Sequence, residues 1–227
     1  MKLRAMSVPA VGVALLLLSG CSGSGLPPGT ASDVNGTRIT TTRVSDVAAA
    51  QCDLRDVLTK KQLAPAITAA QVNRESLSLL MDTELTKQFG ASEGIDVDKL
   101  VAKSFLDQVQ PLFTDLPADS KSLMNDVFGA WADSRSILVA AGSDATGEQP
   151  SPSNLDKLLQ AGLQQRQTWL KKADITTDPR YGPDKDGYPS RDSASVSKAR
   201  STFAVDSEKE TPSPAFLSGL PPNQKCG

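Results

Sequence analysis

The sequence predicts a mainly α protein, a bundle of about five helices closed by a small β element. Three observations predict it. Apolar residues recur at helical spacing in five successive stretches between residues 41 and 173. An Asn35-Gly36 pair lies among alternating β-prone residues, and a second β-prone run begins at Ile175. Because a helix with one apolar stripe must bury that stripe against other helices, a bundle is expected.

The stretch DVNGTRIT, residues 33–40, predicts a hairpin. Asn-Gly is the preferred pair for a type I′ turn, in which both central residues need a positive φ. Thr41 or Thr42 then supplies a hydroxyl that can cap the first helix. We expect the late strand near Ile175 to pair with the early strand near Ile39 and so bring the chain ends together.

The first two helices are separated by a proline. The first is predicted to run to about Lys61, and Pro65 interrupts before the second. The second is predicted from Ile67 to Phe89, with Gly90 as its stop.

Three more helices follow. The third is predicted to start near Asp96 and to end or kink at Pro111. The fourth is predicted to be capped by Asp119 or Ser120 and to end at Gly142.

The fifth helix and the tail complete the prediction. The spacing Ser153-Asn154-Leu155-Asp156 resembles a capping box and opens a helix to about Ala173. Residues 183–227 are rich in Ser, Asp, Pro and Lys, so we expect a largely irregular extension, with one short strand at 201–207.

The N-terminal sequence is typical of an export signal. Lys2 and Arg4 precede the apolar run Val11 to Leu18, which is too short to span a bilayer. The sequence LLLLSGCSGSG, residues 15–25, then ends this run on Cys21.

The four residues Leu18-Ser19-Gly20-Cys21 resemble the bacterial lipobox. The resemblance implies cleavage before Cys21, diacylglycerol on its thiol and attachment to the extracytoplasmic side of the cell membrane. Under this interpretation, residues 1–20 are the signal peptide and residues 21–32 are a lipidated flexible spacer. The alternative is an ordinary signal peptide that contains a cysteine.

Composition excludes several function classes. The formal charge is -2, and removal of Lys2 and Arg4 takes it to -4, so no basic stripe is present for nucleic acid. The chain contains no histidine, which excludes Ser-His-Asp and Cys-His catalysis and histidine-ligated zinc. We therefore predict a protein that is not an enzyme and needs no metal or other cofactor.

The two cysteines after Cys21 are Cys52 and Cys226. An even pair in an exported protein predicts a disulfide, which would tie the last residues to the first helix. The alternative is two separate thiols.

Two short motifs resemble a known family. VNGTRITTTRV, residues 34–44, is similar to the opening of the SurA N-terminal domain, and DPRYG, residues 178–182, resembles the strand ending such domains in exported actinobacterial lipoproteins. The resemblance covers about residues 33–182. It implies a strand pair leading into a helical bundle that binds unfolded envelope proteins. The chain has no room between its helices for the family's parvulin isomerase domain and lacks the histidines of that site, so the resemblance implies binding without isomerase activity.

The chaperone hypothesis needs exposed apolar side chains. In that case some of the large apolar residues would line a groove for client segments, whereas in an ordinary bundle they would form the core. These candidates are Met81, Phe89, Phe105, Phe113, Phe128 and Trp131. The alternative function is a structural or regulatory lipoprotein that binds one specific folded partner or ligand. A broad apolar groove favours the chaperone; a sealed bundle with a polar patch favours the alternative.

Overall fold

A three-stranded sheet covers one end of a helical bundle in the computed structural model, which describes residues 25–190, 201–209 and 212–227. The signal residues, Cys21 and the first part of the spacer lie outside these ranges. The mainly α prediction is confirmed. The bundle helices are α1 (Thr41–Lys60), α2 (Ala69–Glu93), α3 (Lys99–Val109), α4 (Ala118–Thr146) and α5 (Leu155–Leu170).

Short strands and two short helices complete the described ranges. The strands are β1 (Thr30–Val34), β2 (Thr37–Thr40), β3 (Ile67–Thr68), β4 (Ile175–Thr177) and β5 (Lys225–Cys226). The short helices are α6 (Thr202–Glu208) and α7 (Pro214–Gly219).

The predicted hairpin is confirmed. β1 and β2 are antiparallel and are joined by Asn35 and Gly36, whose φ angles of 50° and 85° are both positive. The Asp33 carboxylate accepts a 2.8 Å hydrogen bond from the Gly36 amide and fixes the turn. The cap of α1 is Thr40, whose hydroxyl accepts the Arg43 amide at 3.1 Å, so the cap lies one or two residues before the predicted Thr41 or Thr42.

The sheet closes with a different partner from the one predicted. β4 pairs with β1, with Val34 opposite Ile175 and Ser32 opposite Thr177, and the strand order is β2-β1-β4. Ile39 lies on β2, on the other side of β1. β1 holds the central position, and all of its residues except the partly exposed Asp33 are buried, with Ala31, Ser32 and Val34 at 0% exposure.

Two glycines that were predicted to end helices lie inside them. α2 continues past Gly90 to a left-handed cap at Gly94, and α4 continues past Gly142 to one at Gly147. A Cβ on Gly90 would lie 2.8 Å from Ile137 Cγ2. The absent side chains therefore permit close helix packing, and the helix stops are the later glycines with φ of 69° and 71°.

The contact between α4 and α5 is the most extensive helix–helix contact in the described ranges. Gly142 of α4 lies against the Leu158 carbonyl of α5, and Gly162 of α5 lies against the Leu138 carbonyl of α4. A Cβ at either glycine would overlap the opposing carbonyl oxygen. The two backbones therefore touch at two reciprocal points.

Other helix ends differ from prediction by a few residues. Asp98 caps α3 by accepting the Leu100 and Val101 amides. Pro111 marks the passage from α3 into a single 3₁₀ turn, as predicted. Pro117 precedes α4, so neither Asp119 nor Ser120 is its cap; both lie in the first turn.

The capping box predicted for α5 is wrong, and the helix stops earlier than expected. Asn154 precedes the helix and its side chain makes no capping bond to it, since the Asn154 Oδ1 accepts the Ser151 amide instead. The helix ends at Leu170 rather than Ala173.

The described residues of the C-terminal extension form more regular structure than predicted. The strand predicted at 201–207 is wrong, because residues 202–208 form α6, where Phe203 packs against Phe216 of α7 at 4.9 Å between ring centroids. β5 pairs with β3, with Cys226 opposite Ile67. The chain end thus returns to the space between α1 and α2. Among the described residues, no helix combines the length and apolar character needed to cross a membrane.

Candidate binding surfaces

The disulfide predicted between Cys52 and Cys226 is present, with the two Cα atoms 4.8 Å apart. Cys52 lies on α1 and Cys226 on β5, so the bond ties the chain end to the first helix. The Gly227 amide also donates to the Asp56 carboxylate at 2.5 Å. The chain terminus is therefore held on α1 by a covalent bond and by a charge-assisted hydrogen bond.

Four of the six candidate client-binding residues are buried. Met81 and Phe113 are 0% exposed, Phe89 is 3% and Phe105 is 8%. Met81 packs beneath the sheet, and Phe89 and Phe105 pack between α3, α4 and α5. Met81, Phe105 and Phe113 fill the core that the helical stripes require and line none of the hollows described below, whereas Phe89 also borders the cleft beside Trp169.

The other two candidates, Phe128 and Trp131, are half-buried on α4. They continue a series of packed rings that runs from Phe113 through Phe128 and Trp131 to Phe105, with centroids 5.2, 5.7 and 6.1 Å apart. The Arg135 guanidinium lies 5.1 Å from the Trp131 ring centroid. A cation in that position stacks on the indole and covers one of its faces.

A cleft of about 440 Å³ opens where the C-terminal parts of α2, α4 and α5 meet. We call it the Trp169 cleft. Its wall is apolar and its rim carries polar and charged groups. It is lined by Phe89, Glu93, Ile95, Ala141, Asp144, Ala145, Gln165, Thr168, Trp169 and Lys172.

The local sequence explains why the Trp169 cleft exists. Ala141 and Ala145 are one helical turn apart on α4, and their small side chains leave space opposite the Trp169 indole. Phe89 packs edge-on against Trp169, with ring centroids 6.0 Å apart and an interplanar angle of 65°. This contact fixes the orientation of the indole. Trp169 is half-buried, so part of its ring faces the cleft.

The rim of the Trp169 cleft carries charges of both signs. Glu93, Asp144 and Lys172 are exposed, and none of them takes part in an ion pair within the described ranges. The Trp169 cleft was not predicted from the sequence. The sequence feature that could have indicated the cleft is the pair Ala141 and Ala145, at i and i+4 on α4. These alanines indicate a cleft only when the helix that lies opposite them is known.

A second hollow, of about 250 Å³, lies beside β2. We call it the β2 groove. One side is the whole of β2, Thr37–Thr40, and the start of α1 at Arg43; the floor and far side come from α2 and α4. These floor and far-side residues are Leu80, Thr83, Glu84, Asp126, Val127 and Ala130.

An ion pair between a buried arginine and a partly exposed aspartate joins α2 to α5. Arg166 of α5 is 3% exposed and binds the Asp82 carboxylate of α2. The Arg166 Nε and the Tyr188 hydroxyl are buried without a protein hydrogen-bond partner. Burial raises the pKa of Tyr188. The pair acts as a fixed link between helices, since a buried charge with a single carboxylate partner has little freedom to move.

The motif DPRYG forms a tight turn after β4. The Asp178 carboxylate accepts hydrogen bonds from the Arg180 amide at 2.9 Å and from the Arg180 guanidinium at 2.7 Å. These hydrogen bonds lower the pKa of Asp178. The Asp178 amide donates to the Ala31 carbonyl at 2.9 Å, so the turn extends the pairing of β4 with β1.

The described residues contain no group of three or more Cys, Asp or Glu side chains arranged to hold a metal ion. Comparisons of the chain with protein-family models, with curated proteins and with solved structures find no match. The two hollows are therefore assessed from their own geometry. The lipidation residues Leu18, Ser19, Gly20 and Cys21 lie outside the described residues.

Proposed function

We propose that this chain is a lipid-anchored extracytoplasmic binding protein that recognises one specific partner or ligand through the Trp169 cleft. The observation that carries the proposal is the cleft itself: about 440 Å³, an aromatic wall and a rim with both charge signs. Ligand sites have this character, since an apolar wall supplies affinity and a few polar groups fix orientation.

The anchoring part of the proposal rests on the N-terminal sequence. A short apolar run ends at Leu18-Ser19-Gly20-Cys21, and Gly, Ser and Pro-rich residues follow up to β1. A diacylated Cys21 supplies two buried chains, which is what stable attachment requires. The binding domain would then stand close to the membrane on a short tether.

Specific recognition is favoured over general holding of unfolded chains. A general holdase needs a broad apolar surface that accepts many sequences. Here Met81, Phe89, Phe105 and Phe113 are buried, and Arg135 covers one face of the half-buried Trp131 indole. The Trp169 cleft carries Glu93, Asp144 and Lys172 at its rim, and these charges restrict what can enter.

The first experiment identifies what occupies the cleft. The full chain is purified from its native membrane and its bound small molecules are released and analysed by mass spectrometry. The variant Ala145→Trp fills the cleft, and Ala49→Trp is the matched control, because Ala49 is an exposed alanine on α1 outside the hollows described above. We expect a compound that copurifies with the wild type and with Ala49→Trp and is lost from Ala145→Trp.

Partner binding is followed in parallel by crosslinking in the native membrane. A protein crosslinked to the wild type and lost with Ala145→Trp equally supports the proposal. Loss of neither class of ligand in Ala145→Trp would contradict the role of the cleft. Cys21→Ala tests the anchor separately: we expect release from the membrane fraction, and continued tight attachment would contradict lipidation.

A second function, chaperone-like holding of partly folded exported proteins, is favoured by a different observation. Leu100 on α3 is 82% exposed, and Leu63, after α1, is 66% exposed. The test is suppression of aggregation of several unrelated unfolded exported proteins, followed by light scattering. Suppression that survives Ala145→Trp and is weakened by Leu100→Ser would favour this function over the first.

A further inference from the structure

The outer edge of β2 has no strand beside it in the described residues. β1 is paired on both sides, by β2 and by β4. The other edge of the sheet, at β4, is covered, because the Thr177 hydroxyl donates to the Gly187 carbonyl at 2.7 Å and Gly187 lies against Ile175. An edge strand directs the backbone groups of every second residue outward, where an extended chain can pair with them.

The open edge of β2 lies along a hollow and not on a flat, solvent-exposed surface. All four residues of β2 line the β2 groove, and α2 and α4 form its floor. Leu80 is half-buried there and Val127 is 4% exposed, so the floor beneath the missing strand position is apolar. A strand added beside β2 would turn every second side chain down onto this floor.

Charges at the groove define the chemistry of the occupant. Arg43 lies in the first turn of α1, and that turn contains no acidic residue. Arg43 forms no ion pair within the ranges the structure describes. Arg38 reaches the Asp33 carboxylate only at 4.0 Å. Glu84 and Asp126 lie on the opposite wall. An extended segment with an acidic residue near Arg43 complements this pattern, whereas a uniformly acidic segment would meet Glu84 and Asp126.

We propose that the β2 groove binds an extended segment of a partner protein that adds as a strand to β2, places an acidic side chain at Arg43 and an aliphatic side chain over Leu80. Backbone pairing supplies the general affinity and the two side-chain contacts supply the selection. The site is separate from the Trp169 cleft and does not depend on the function proposed for that cleft.

The probe is a library of randomised eight-residue peptides displayed on phage and selected on the full chain. We expect enrichment of β-prone sequences with an acidic residue two positions from an aliphatic one, since i and i+2 lie on the same face of a strand. Amides of β2 should gain protection from hydrogen exchange when an enriched peptide binds. No enrichment, or enrichment without protection of β2, would overturn the proposal.

A charge exchange tests the acidic position. Arg43→Glu should weaken binding of an enriched peptide by about tenfold or more, and a peptide with Lys in place of its acidic residue should recover most of that loss. Lys121→Glu is the control, because it makes the same change of charge at an exposed position of α4 outside the groove. Equal effects of the two variants would contradict a role for Arg43.

Self-association is the remaining outcome to separate. Sedimentation of the full chain in detergent micelles shows whether a second copy occupies the groove. A dimer that dissociates in Arg43→Glu would assign the β2 edge to contact between copies and overturn the proposal of a partner segment. A chain that stays monomeric and binds the enriched peptide supports it. Because Ala145→Trp alters only the Trp169 cleft, peptide binding that survives in this variant keeps the two proposals distinguishable.

Discussion

The α4–α5 pair and the C-terminal segment, residues 212–227, are attached to the bundle in opposite ways. α4 and α5 touch through their backbones at Gly142 and Gly162, and around these points they bury a large apolar cluster. The C-terminal segment buries a small cluster of Phe216, Leu217 and Leu220 and is tied by a disulfide. Where enough apolar surface is buried, packing alone holds the chain; where little is buried, a covalent bond supplies what packing lacks.

The largest expected effect comes from breaking the backbone contact of α4 with α5. Gly142→Ala places a Cβ on the Leu158 carbonyl oxygen, and neither backbone can move aside without separating the helices. We expect a loss of about 4 kcal/mol of unfolding free energy, measured by urea denaturation.

The matched control for Gly142→Ala is Gly129→Ala on the same helix. A Cβ at Gly129 meets nothing within 4 Å. Because alanine favours the helix, this variant should gain about 0.5–1 kcal/mol. Similar losses from both variants would show that the helix, rather than its contact with α5, is sensitive to substitution.

Removal of the disulfide tests how the C-terminal segment is held on the bundle. The double variant Cys52→Ser/Cys226→Ser should lose about 3 kcal/mol, because the bond closes a loop between residues 174 positions apart and so restricts the unfolded chain. Proteolysis should release residues 212–227 first, while amides of α4 and α5 stay protected. Reductant should lower the stability of the wild type and leave the double variant unchanged. Unaltered stability of the double variant would contradict the covalent role.

The Asp178 turn follows β4 and lies between α5 and the C-terminal segment in the sequence, and its contribution to stability depends on pH. Arg180 lowers the pKa of Asp178 below its ordinary value of 3.8, so the folded state favours the ionised carboxylate. This contribution is present above about pH 4 and is lost as the pH falls through the folded pKa. Asp178→Asn should lose about 1 kcal/mol near neutral pH, with the difference from wild type closing below about pH 4.

The control for the Asp178 prediction is an exposed ion pair. Lys61 hydrogen-bonds Asp115 and lowers the pKa of Asp115, but both side chains are solvent-exposed. Asp115→Asn should therefore leave the unfolding free energy near neutral pH almost unchanged. A larger effect at Asp115 than at Asp178 would contradict a stabilising role for the Asp178 turn.

The smallest expected effect distinguishes local from global stability. Ser213 caps α7 by accepting the Phe216 amide at 3.2 Å, and Thr40 caps α1 in the same manner. Each alanine substitution should cost about 1 kcal/mol. Thr40→Ala should lower the global unfolding free energy, whereas Ser213→Ala should only speed hydrogen exchange within α7. Equal global effects would show that the C-terminal segment unfolds together with the bundle.

Local signals predicted those parts of the fold that depend on neighbouring residues. The hairpin at Asn35-Gly36 was predicted because its turn requires two positive φ angles, and the helices were predicted from apolar spacing. The same reasoning failed at Gly142. Its local sequence predicted a helix end, but this glycine lies inside α4 and permits a close contact with α5. It failed again at residues 201–207, where α6 forms beside Phe216.

The candidate sites also separate into features that depend on neighbouring residues and features that depend on tertiary packing. By itself, the sequence determined the mainly α class, the hairpin, the cysteine pair and the absence of histidine chemistry, since these depend on residue type and near neighbours. Only the tertiary structure decided that Met81 and Phe113 are buried, that Ala141 and Ala145 face Trp169, and that the edge of β2 borders a groove. The reason is physical: burial and clefts depend on which helix lies opposite, and that choice is made by packing between residues far apart in the chain.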